Sequence, residues 1–221
     1  NISEGHHLNE LVALDDSKSV MSDDGKYLFI TDLKSLPKIR AINLIRWWLS
    51  FNNLLMPSRR NIDELYKQIL LIKRDTSLNL KISDDASIRA YNNKLFIVSL
   101  DINSSKFDLK WSGQEELYLP NKTKLQFIKI KEGGLSLSKL GVKTLRVRSR
   151  AGGEKLKPFS DQPSRSLKYL FQTADIPIWE RGQIPLIFAK NQLVAVPNLA
   201  IQHKYKSIKG EEGYQINWLR N

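Results

Sequence analysis

Residues 145–188 read LRVRSRAGGEKLKPFSDQPSRSLKYLFQTADIPIWERGQIPLIF, and they determine how the second half of the chain folds. Arg146, Arg148 and Arg150 alternate with apolar or small residues, which is the period of a β-strand, so their side chains would share one face. Three guanidinium groups on one face repel each other unless an anion lies opposite, and the planar guanidinium fork matches phosphate well. The simpler alternative is a solvated strand face on a basic protein.

The rest of this stretch predicts a turn, a helix and further basic residues. Gly152-Gly153 predicts a tight turn, because no lysine and serine follow it as they do in a phosphate-cradling loop. Ser164 or Ser166 is placed to cap a short helix, which Pro177 would end. Other cations within the same unit extend the charge of the arginine strand, and we predict that they bind with it: Lys155, Lys157, Arg165, Lys168 and Arg181.

The positive charge of the chain is concentrated in its second half. The 221 residues carry a formal net charge of +12. Residues 1–105 contain 14 Lys and Arg against 13 Asp and Glu, whereas residues 106–221 contain 21 against 10. This asymmetry predicts that the second half faces a polyanion such as nucleic acid. The same charge would also attract an acidic protein or a membrane surface.

Hydrophobic periodicity divides the chain into a helical part and a strand-rich part. Apolar residues recur at helical spacing from Pro37 to Phe51 and again after Ser58, which is a suitable N-cap. Residues 78–100 alternate with period two, which predicts a small β-meander. We therefore predict an α+β fold in three segments: a mainly helical first domain over 1–105, a linker over 106–122, and a β-rich C-terminal domain with one helix over 123–221.

The sequence contains no catalytic or metal-binding pattern, so we predict no catalytic residue, cofactor site or metal site in this chain. There is no Walker A motif or dinucleotide glycine fingerprint, and no cysteine for a zinc site. The paired acids Asp15-Asp16 and Glu211-Glu212 are predicted to be solvated turn residues, because a general acid needs burial or a close like charge. The absence of cysteine fits a cytoplasmic location, and no stretch is long and apolar enough to span a membrane.

Several segments resemble the bacterial tRNA(Ile)-lysidine synthetases. The segments similar to the C-terminal domain of that family are RAGGEKLKP at 150–158, SRSLK at 164–168, IPIWER at 176–181, PLIF at 185–188 and LVAV at 193–196. The segments similar to its middle domain are LIRWWL at 44–49, MPSR at 56–59, Asp75, and IRAY at 88–91. In the last of these, Ala90 stands where the family often has a second arginine.

The resemblance implies a function. The family's full-length enzymes use ATP to ligate lysine to C2 of the wobble cytidine in the CAU anticodon of tRNA(Ile), which changes the codon read from AUG to AUA. Their ATP-binding serine-glycine-glycine loop belongs to an N-terminal catalytic domain, which binds lysine and ATP, and that motif does not occur in residues 1–221. The chain is thus implied to be the tRNA-recognition part of an ATP-dependent ligase, not catalytic alone. Arg59 and Arg89 are implied to contribute to tRNA binding.

The alternative is a basic interaction module that docks an acidic protein, such as the enzyme's own catalytic domain. It predicts binding to that domain in trans without a preference for tRNA. The oligomeric state is left open by the sequence.

Overall fold

The computed structural model describes residues 2–73, 78–99 and 106–220, with side chains from His7 onward. The chain separates into two compact units, Asn1–Ile102 and Asn103–Asn221. Asp75, one of the residues that resemble the family's middle domain, lies outside the described residues.

Four helices form most of the first unit. They are α1 (Ile2–Val20), α2 (Ile30–Ser35), α3 (Lys38–Phe51) and α4 (Arg59–Leu71). The two helices predicted after Pro37 and Ser58 are confirmed as α3 and α4. The Ser58 hydroxyl accepts a hydrogen bond from the Asn61 amide at 3.2 Å, which satisfies a donor that the helix itself leaves open. Trp48 of α3 is buried, and its indole N–H donates to the Gly25 carbonyl at 2.9 Å.

A four-stranded antiparallel sheet completes the first unit. Its strands are β1 (Tyr27–Phe29), β2 (Asn79–Lys81), β3 (Ala86–Tyr91) and β4 (Lys94–Ser99), in the order β1-β4-β3-β2. The predicted meander is confirmed in β2, β3 and β4. Asn92 and Asn93 join β3 to β4. Their φ values are 44° and 61°, a left-handed geometry that asparagine tolerates better than most residues.

The second unit is built mainly from strands. They are β5 (Asp108–Trp111), β6 (Glu116–Tyr118), β7 (Lys124–Ile130), β8 (Leu145–Arg148), β9 (Lys155–Leu156), β10 (Arg165–Ser166), β11 (Leu186–Ala189), β12 (Gln192–Val196), β13 (Ala200–Ile201) and β14 (Gly213–Leu219). The sheets are β13-β12-β11-β8-β5, β14-β7-β6 and the pair β10-β9. One continuous core joins the two larger sheets, and within it the Trp111 ring stacks on Phe127 with centroids 4.5 Å apart.

Three short helices lie in the described part of the second unit, where the sequence predicted one. They are α5 (Leu137–Leu140), α6 (Leu167–Thr173) and α7 (Ile178–Arg181), and a 3-10 turn follows at His203–Tyr205. The predicted helix is confirmed as α6. Ser166 is its N-cap and accepts from the Tyr169 amide at 3.2 Å. The other two are single turns, too short for a helical period to show in the sequence.

The structure corrects the prediction of a linker over 106–122, because this segment supplies two strands of the second unit. β5 pairs with β8, so that Asp108 lies opposite Arg148 and Trp111 opposite Leu145. Trp111 is fully buried. Both β5 and β6 are edge strands with polar exposed faces, so their composition resembles that of a linker although their backbones pair.

Two of the acids that the sequence predicted to be solvated turn residues have structural contacts instead. Asp16 lies within α1, is buried, and is bonded to the guanidinium group of Arg40. Glu211 is held by the Lys139 ammonium group at 2.9 Å, the Ser136 hydroxyl at 2.7 Å and the Ile208 amide at 3.1 Å. In that order, these donors lower the pKa of Glu211 to about 2.

Glu211→Gln is expected to lower the free energy of unfolding of the second unit at neutral pH. The pKa of Glu211 in the folded protein lies below its ordinary value of 4.5, so the ionised carboxylate stabilises the fold above about pH 4.5. That contribution is lost as the pH falls toward about 2. Denaturant unfolding of both proteins between pH 7 and pH 2.5 measures this. A stability difference that stays constant over the whole range would contradict the assignment.

Candidate nucleic-acid interface

The arginine strand has the predicted alternation, and an acid from a neighbouring strand partly neutralises it. Leu145 and Val147 of β8 are buried, whereas Arg146 and Arg148 are half-buried on the other face. The Arg146 Nε donates to Asp108 Oδ1 at 2.8 Å, and the Arg148 Nε lies 3.2 Å from Asp108 Oδ2. The hydrogen bond from Arg146, with a smaller contribution from Arg148, lowers the pKa of Asp108. Asp108 therefore offsets part of the repulsion between these two arginines.

Arg150 lies beside a glycine turn that is closed around a carboxylate of the chain itself. Glu154 Oε1 accepts from the amides of Ala151 at 2.6 Å and Gly152 at 2.8 Å, and its Oε2 lies 3.5 Å from Arg150 Nε. Burial opposes ionisation of Glu154, but these amide donors and Arg150 outweigh it and lower the pKa. Gly152 has a φ of 104°, which strains any other residue. The glycine pair is thus a tight turn, as the sequence predicts.

Three arginines of residues 145–188 lie over aromatic rings. The guanidinium carbon of Arg148 lies 5.1 Å from the Phe188 ring centre, that of Arg150 lies 5.5 Å from Phe171, and that of Arg165 lies 4.9 Å from Tyr169. Phe171 and Tyr169 both belong to α6, so this helix supports two of the three cations. Stacking restricts the rotation of the guanidinium planes, so that fewer rotamers are lost when an anion binds.

The same three arginines contain polar atoms without a hydrogen-bond partner. The Nε atoms of Arg148, Arg150 and Arg165 are buried and donate no hydrogen bond among the described residues. Arg148 Nε is close enough to Asp108 for an ion pair, but its N–H is not aligned for a hydrogen bond. An unpartnered buried donor is unfavourable by about 1–3 kcal/mol. Oxygen atoms of a bound anion would satisfy these donors.

Three predicted lysines lie on the elements that adjoin these arginines. Lys155 of β9 is exposed and pairs across the ladder with Ser166, the residue that caps α6. Lys168 of α6 is exposed, and Lys157 is half-buried. We use the term basic surface for the following residues, which lie on or within two residues of β8, the glycine turn, β9, β10 and α6: Arg146, Arg148, Arg150, Lys155, Lys157, Arg165 and Lys168.

Three other predicted residues lie elsewhere. Arg181 is buried with 6% exposure, and its Nε donates to the Ile176 carbonyl at 2.8 Å, so the structure corrects its assignment to a binding surface. The sequence around Arg181 resembles a loop, and a charged residue in a loop is usually exposed, so the sequence did not indicate that Arg181 is buried. Arg59 and Arg89 belong to the first unit. Arg59 is exposed at the start of α4, and Arg89 is half-buried in β3 with its Nε donating to the Ser87 hydroxyl at 3.2 Å.

The structure also reveals an aromatic and basic cluster next to Lys157 that the sequence interpretation missed. The Lys157 carbonyl accepts from the His203 amide at 2.8 Å, which joins the segment after β9 to the 3-10 turn. Phe159 is 52% exposed, and the Lys206 ammonium group lies 5.4 Å from its ring centre. Exposed aromatic rings beside cations are suited to contact with nucleobases. The signal in the sequence was HKYK at 203–206, which lies far along the chain from the arginine strand.

Two family models match the chain, one in each unit. Residues 28–96 match the model described as "TilS substrate binding domain", and residues 145–218 match the one described as "TilS substrate C-terminal domain". Together the matches cover 143 of the 221 residues. The chain belongs to the TilS family. The second TilS match begins at Leu145, the first residue of the arginine strand, and includes the whole basic surface.

Curated relatives in the TilS family carry the name tRNA(Ile)-lysidine synthase. The relative from Nitrosomonas europaea is 27% identical over 215 residues, which are 96% of this chain and 46% of the relative. The relative from Vibrio parahaemolyticus is 31% identical over 188 residues, which are 80% of this chain and 41% of the relative. The chain therefore spans less than half the length of these relatives.

A solved structure of the TilS family is also similar to this chain. It is described as "Crystal structure of TILS C-terminal domain", is 19% identical, and covers 52% of this chain and 100% of its own, with a TM-score of 0.42. Within residues 2–73, 78–99 and 106–220, no helix is long and apolar enough to cross a membrane. Over the same ranges, no three His, Asp or Glu residues are grouped as metal ligands.

Proposed function

We propose that this chain is the tRNA-recognition part of a tRNA(Ile)-lysidine synthase. The observation that carries the proposal is the basic surface, where seven cations face only two paired acids and three arginines over aromatic rings have Nε donors without hydrogen-bond partners among the described residues. It lies in the domain that matches the family's substrate C-terminal domain. The family match favours tRNA over an acidic protein as the anion to which these arginines bind.

The proposed mechanism separates holding the tRNA from the chemistry. The basic surface contacts phosphates, which position the RNA without reading its sequence. Discrimination comes from RNA shape and from contacts with unpaired bases or 2′-hydroxyl groups. The ligation of lysine to C2 of the wobble cytidine in the CAU anticodon, with ATP as a substrate, is assigned to a catalytic domain of the whole cytoplasmic enzyme. The residues of this chain hold and select the tRNA.

Arg148→Ala and Lys157→Ala are each expected to weaken tRNA binding, by about tenfold for Arg148, because a hydrogen bond to a charged group is lost. The slope of log affinity against log salt should also become shallower by roughly 0.7–0.9 for each phosphate contact removed. Binding titrations at several salt concentrations measure both quantities. Lys129→Ala, an exposed cation on β7 of the other sheet, is the matched control. Unchanged affinity and slope in both test variants would refute the role of the basic surface.

A comparison of tRNA(Ile) carrying the CAU anticodon with methionine tRNA tests selection separately. We expect tighter binding of tRNA(Ile) at every salt concentration. Equal and weak binding of both tRNAs would show that the chain binds tRNA without specificity for tRNA(Ile). Tighter binding of an acidic protein than of either tRNA would support the interaction-module alternative.

A further inference from the structure

A groove of about 480 Å³ runs along α3 in the first unit, between α1 and α4. Three cations line it: Lys38 and Arg46 on α3, and Arg59 at the start of α4. One acid, Asp63 of α4, also lies on its wall. Apolar side chains from the same helices lie between the cations, namely Ile39, Ile42 and Ile62. The groove therefore combines a net positive charge with an apolar wall.

The cations of this groove lack ion-pair partners in the part of the chain that the structure describes. Among the described residues, Lys38, Arg46 and Arg59 form no ion pair within 4.0 Å. Arg40, which lies outside the groove on the same helix, is neutralised by the buried carboxylate of Asp16. The contrast is informative because residues 1–105 have nearly balanced charge, with 14 basic and 13 acidic residues. Described acids of this unit, such as Asp15, Asp16 and Asp24, pair with other cations and not with those of the groove.

Arg46 provides an independent sign that an anion binds there. Its Nε is buried and has no hydrogen-bond partner among the described residues. Buried donors are nearly always satisfied in folded proteins, and the side chain of Arg46 lines the groove, so this guanidinium group is suited to bind an acceptor there. A phosphate oxygen is the acceptor that the guanidinium group matches best.

The apolar wall restricts the kind of anion. Ile39 is 83% exposed and lies on the wall of the groove beside Ile42, so a ligand in the groove can cover it. A nucleobase can lie on such a wall while its phosphate reaches the cations. In a double helix the faces of the bases are stacked against each other and cannot lie on an apolar wall. The groove thus suits a nucleotide whose base is unpaired.

We propose that this groove binds one unpaired nucleotide of the tRNA, with Arg46 and Arg59 on its phosphate and Ile39 against its base. The inference rests on the proposed function, because that function supplies the RNA. It adds a second binding site, in the first unit, that distinguishes unpaired from paired RNA.

The test measures binding of the full chain to tRNA and to a fully paired RNA duplex of similar length. Arg46→Gln should weaken tRNA binding about tenfold, and should leave duplex binding unchanged. Arg60→Gln is the matched control, because Arg60 is adjacent to Arg59 and exposed but does not line the groove. Equal losses for Arg46→Gln and Arg60→Gln, equal losses on tRNA and duplex, or no loss on tRNA would each overturn the proposal.

A second variant keeps the test independent of folding. Ile39→Glu changes a largely exposed residue, so the fold should tolerate it, and the new carboxylate should repel the phosphate and weaken tRNA binding. Leu55→Glu adds the same charge at a residue that is 86% exposed and outside the groove. Equal effects of these two variants would overturn the proposal.

The Arg148→Ala variant separates failure of the groove assignment from failure of the proposed function. If Arg148→Ala weakens tRNA binding while the groove variants do not, only the groove assignment fails. If Arg148→Ala also has no effect, the proposed function fails too.

Discussion

Trp111→Ala is expected to lower the free energy of unfolding of the second unit by about 3–5 kcal/mol. The indole is fully buried, stacks on Phe127 at 4.5 Å and meets the Tyr214 ring edge-on at 5.3 Å. Trp111 belongs to the five-stranded sheet, whereas its two ring partners belong to the three-stranded one. Its removal leaves a cavity between the sheets and leaves the Gln114 carbonyl without the indole N–H that it accepts at 2.7 Å.

Hydrogen exchange at the amides of β7 and β14 would report this loss, because these strands carry the two ring partners. A global melting curve alone is insufficient for a chain of two units. Tyr118→Ala removes an aromatic ring of the same sheet that is 71% exposed, and it should change stability by less than about 0.5 kcal/mol. Similar exchange rates in the two variants would show that Trp111 does not join the sheets energetically.

Gly134→Ala is the second substitution expected to have a large effect, destabilising the second unit by about 1–3 kcal/mol or more. A Cβ at Gly134 would lie 2.7 Å from the Tyr214 backbone nitrogen and 2.8 Å from the Gly213 carbonyl carbon. These atoms are backbone, so no side-chain rotation relieves the clash. The two segments are held there by hydrogen bonds exchanged between Leu135 and Tyr214, at 2.8 and 2.9 Å.

Gly182→Ala is the control for this substitution, because a Cβ at Gly182 meets no atom within 4 Å and its φ of −74° suits any residue. It should leave stability unchanged or raise it slightly by restricting the unfolded chain. Denaturant unfolding of the two variants separates backbone crowding from the general effect of replacing glycine. Equal destabilisation by both would contradict the close approach of the two backbones.

Local features of the fold could be predicted from the sequence because they depend on residues within a few positions of each other. The alternation at Arg146 and Arg148, the Ser58 and Ser166 caps and the asparagine turn of the meander all belong to this class. The charge asymmetry and the family resemblance, which need no knowledge of packing, likewise indicated a polyanion as the partner. The α+β class follows from these patterns, since helical and strand periods occupy separate stretches of the chain.

Contacts between distant segments could not be predicted in this way, because they depend on strand register and helix packing. Asp108 neutralises Arg146 from a position 38 residues earlier, which only the pairing of β5 with β8 brings about. The same pairing buries Trp111 in a segment whose polar composition resembles a linker. Arg181 looks like a surface cation in sequence, yet the turn at α7 places its guanidinium on the Ile176 carbonyl.

The sequence by itself thus determined the residue types of the basic surface and the elements that carry most of them. The tertiary structure decided which cations have partners and which do not. Asp108 and Glu154 lie beside Arg148 and Arg150, whereas Arg165 on its aromatic ring and Arg46 in its groove have no ion pair among the described residues. The physical reason is that a charge attracts RNA only to the extent that the fold leaves it without a nearby opposite charge, and nearness is set by packing rather than by order along the chain.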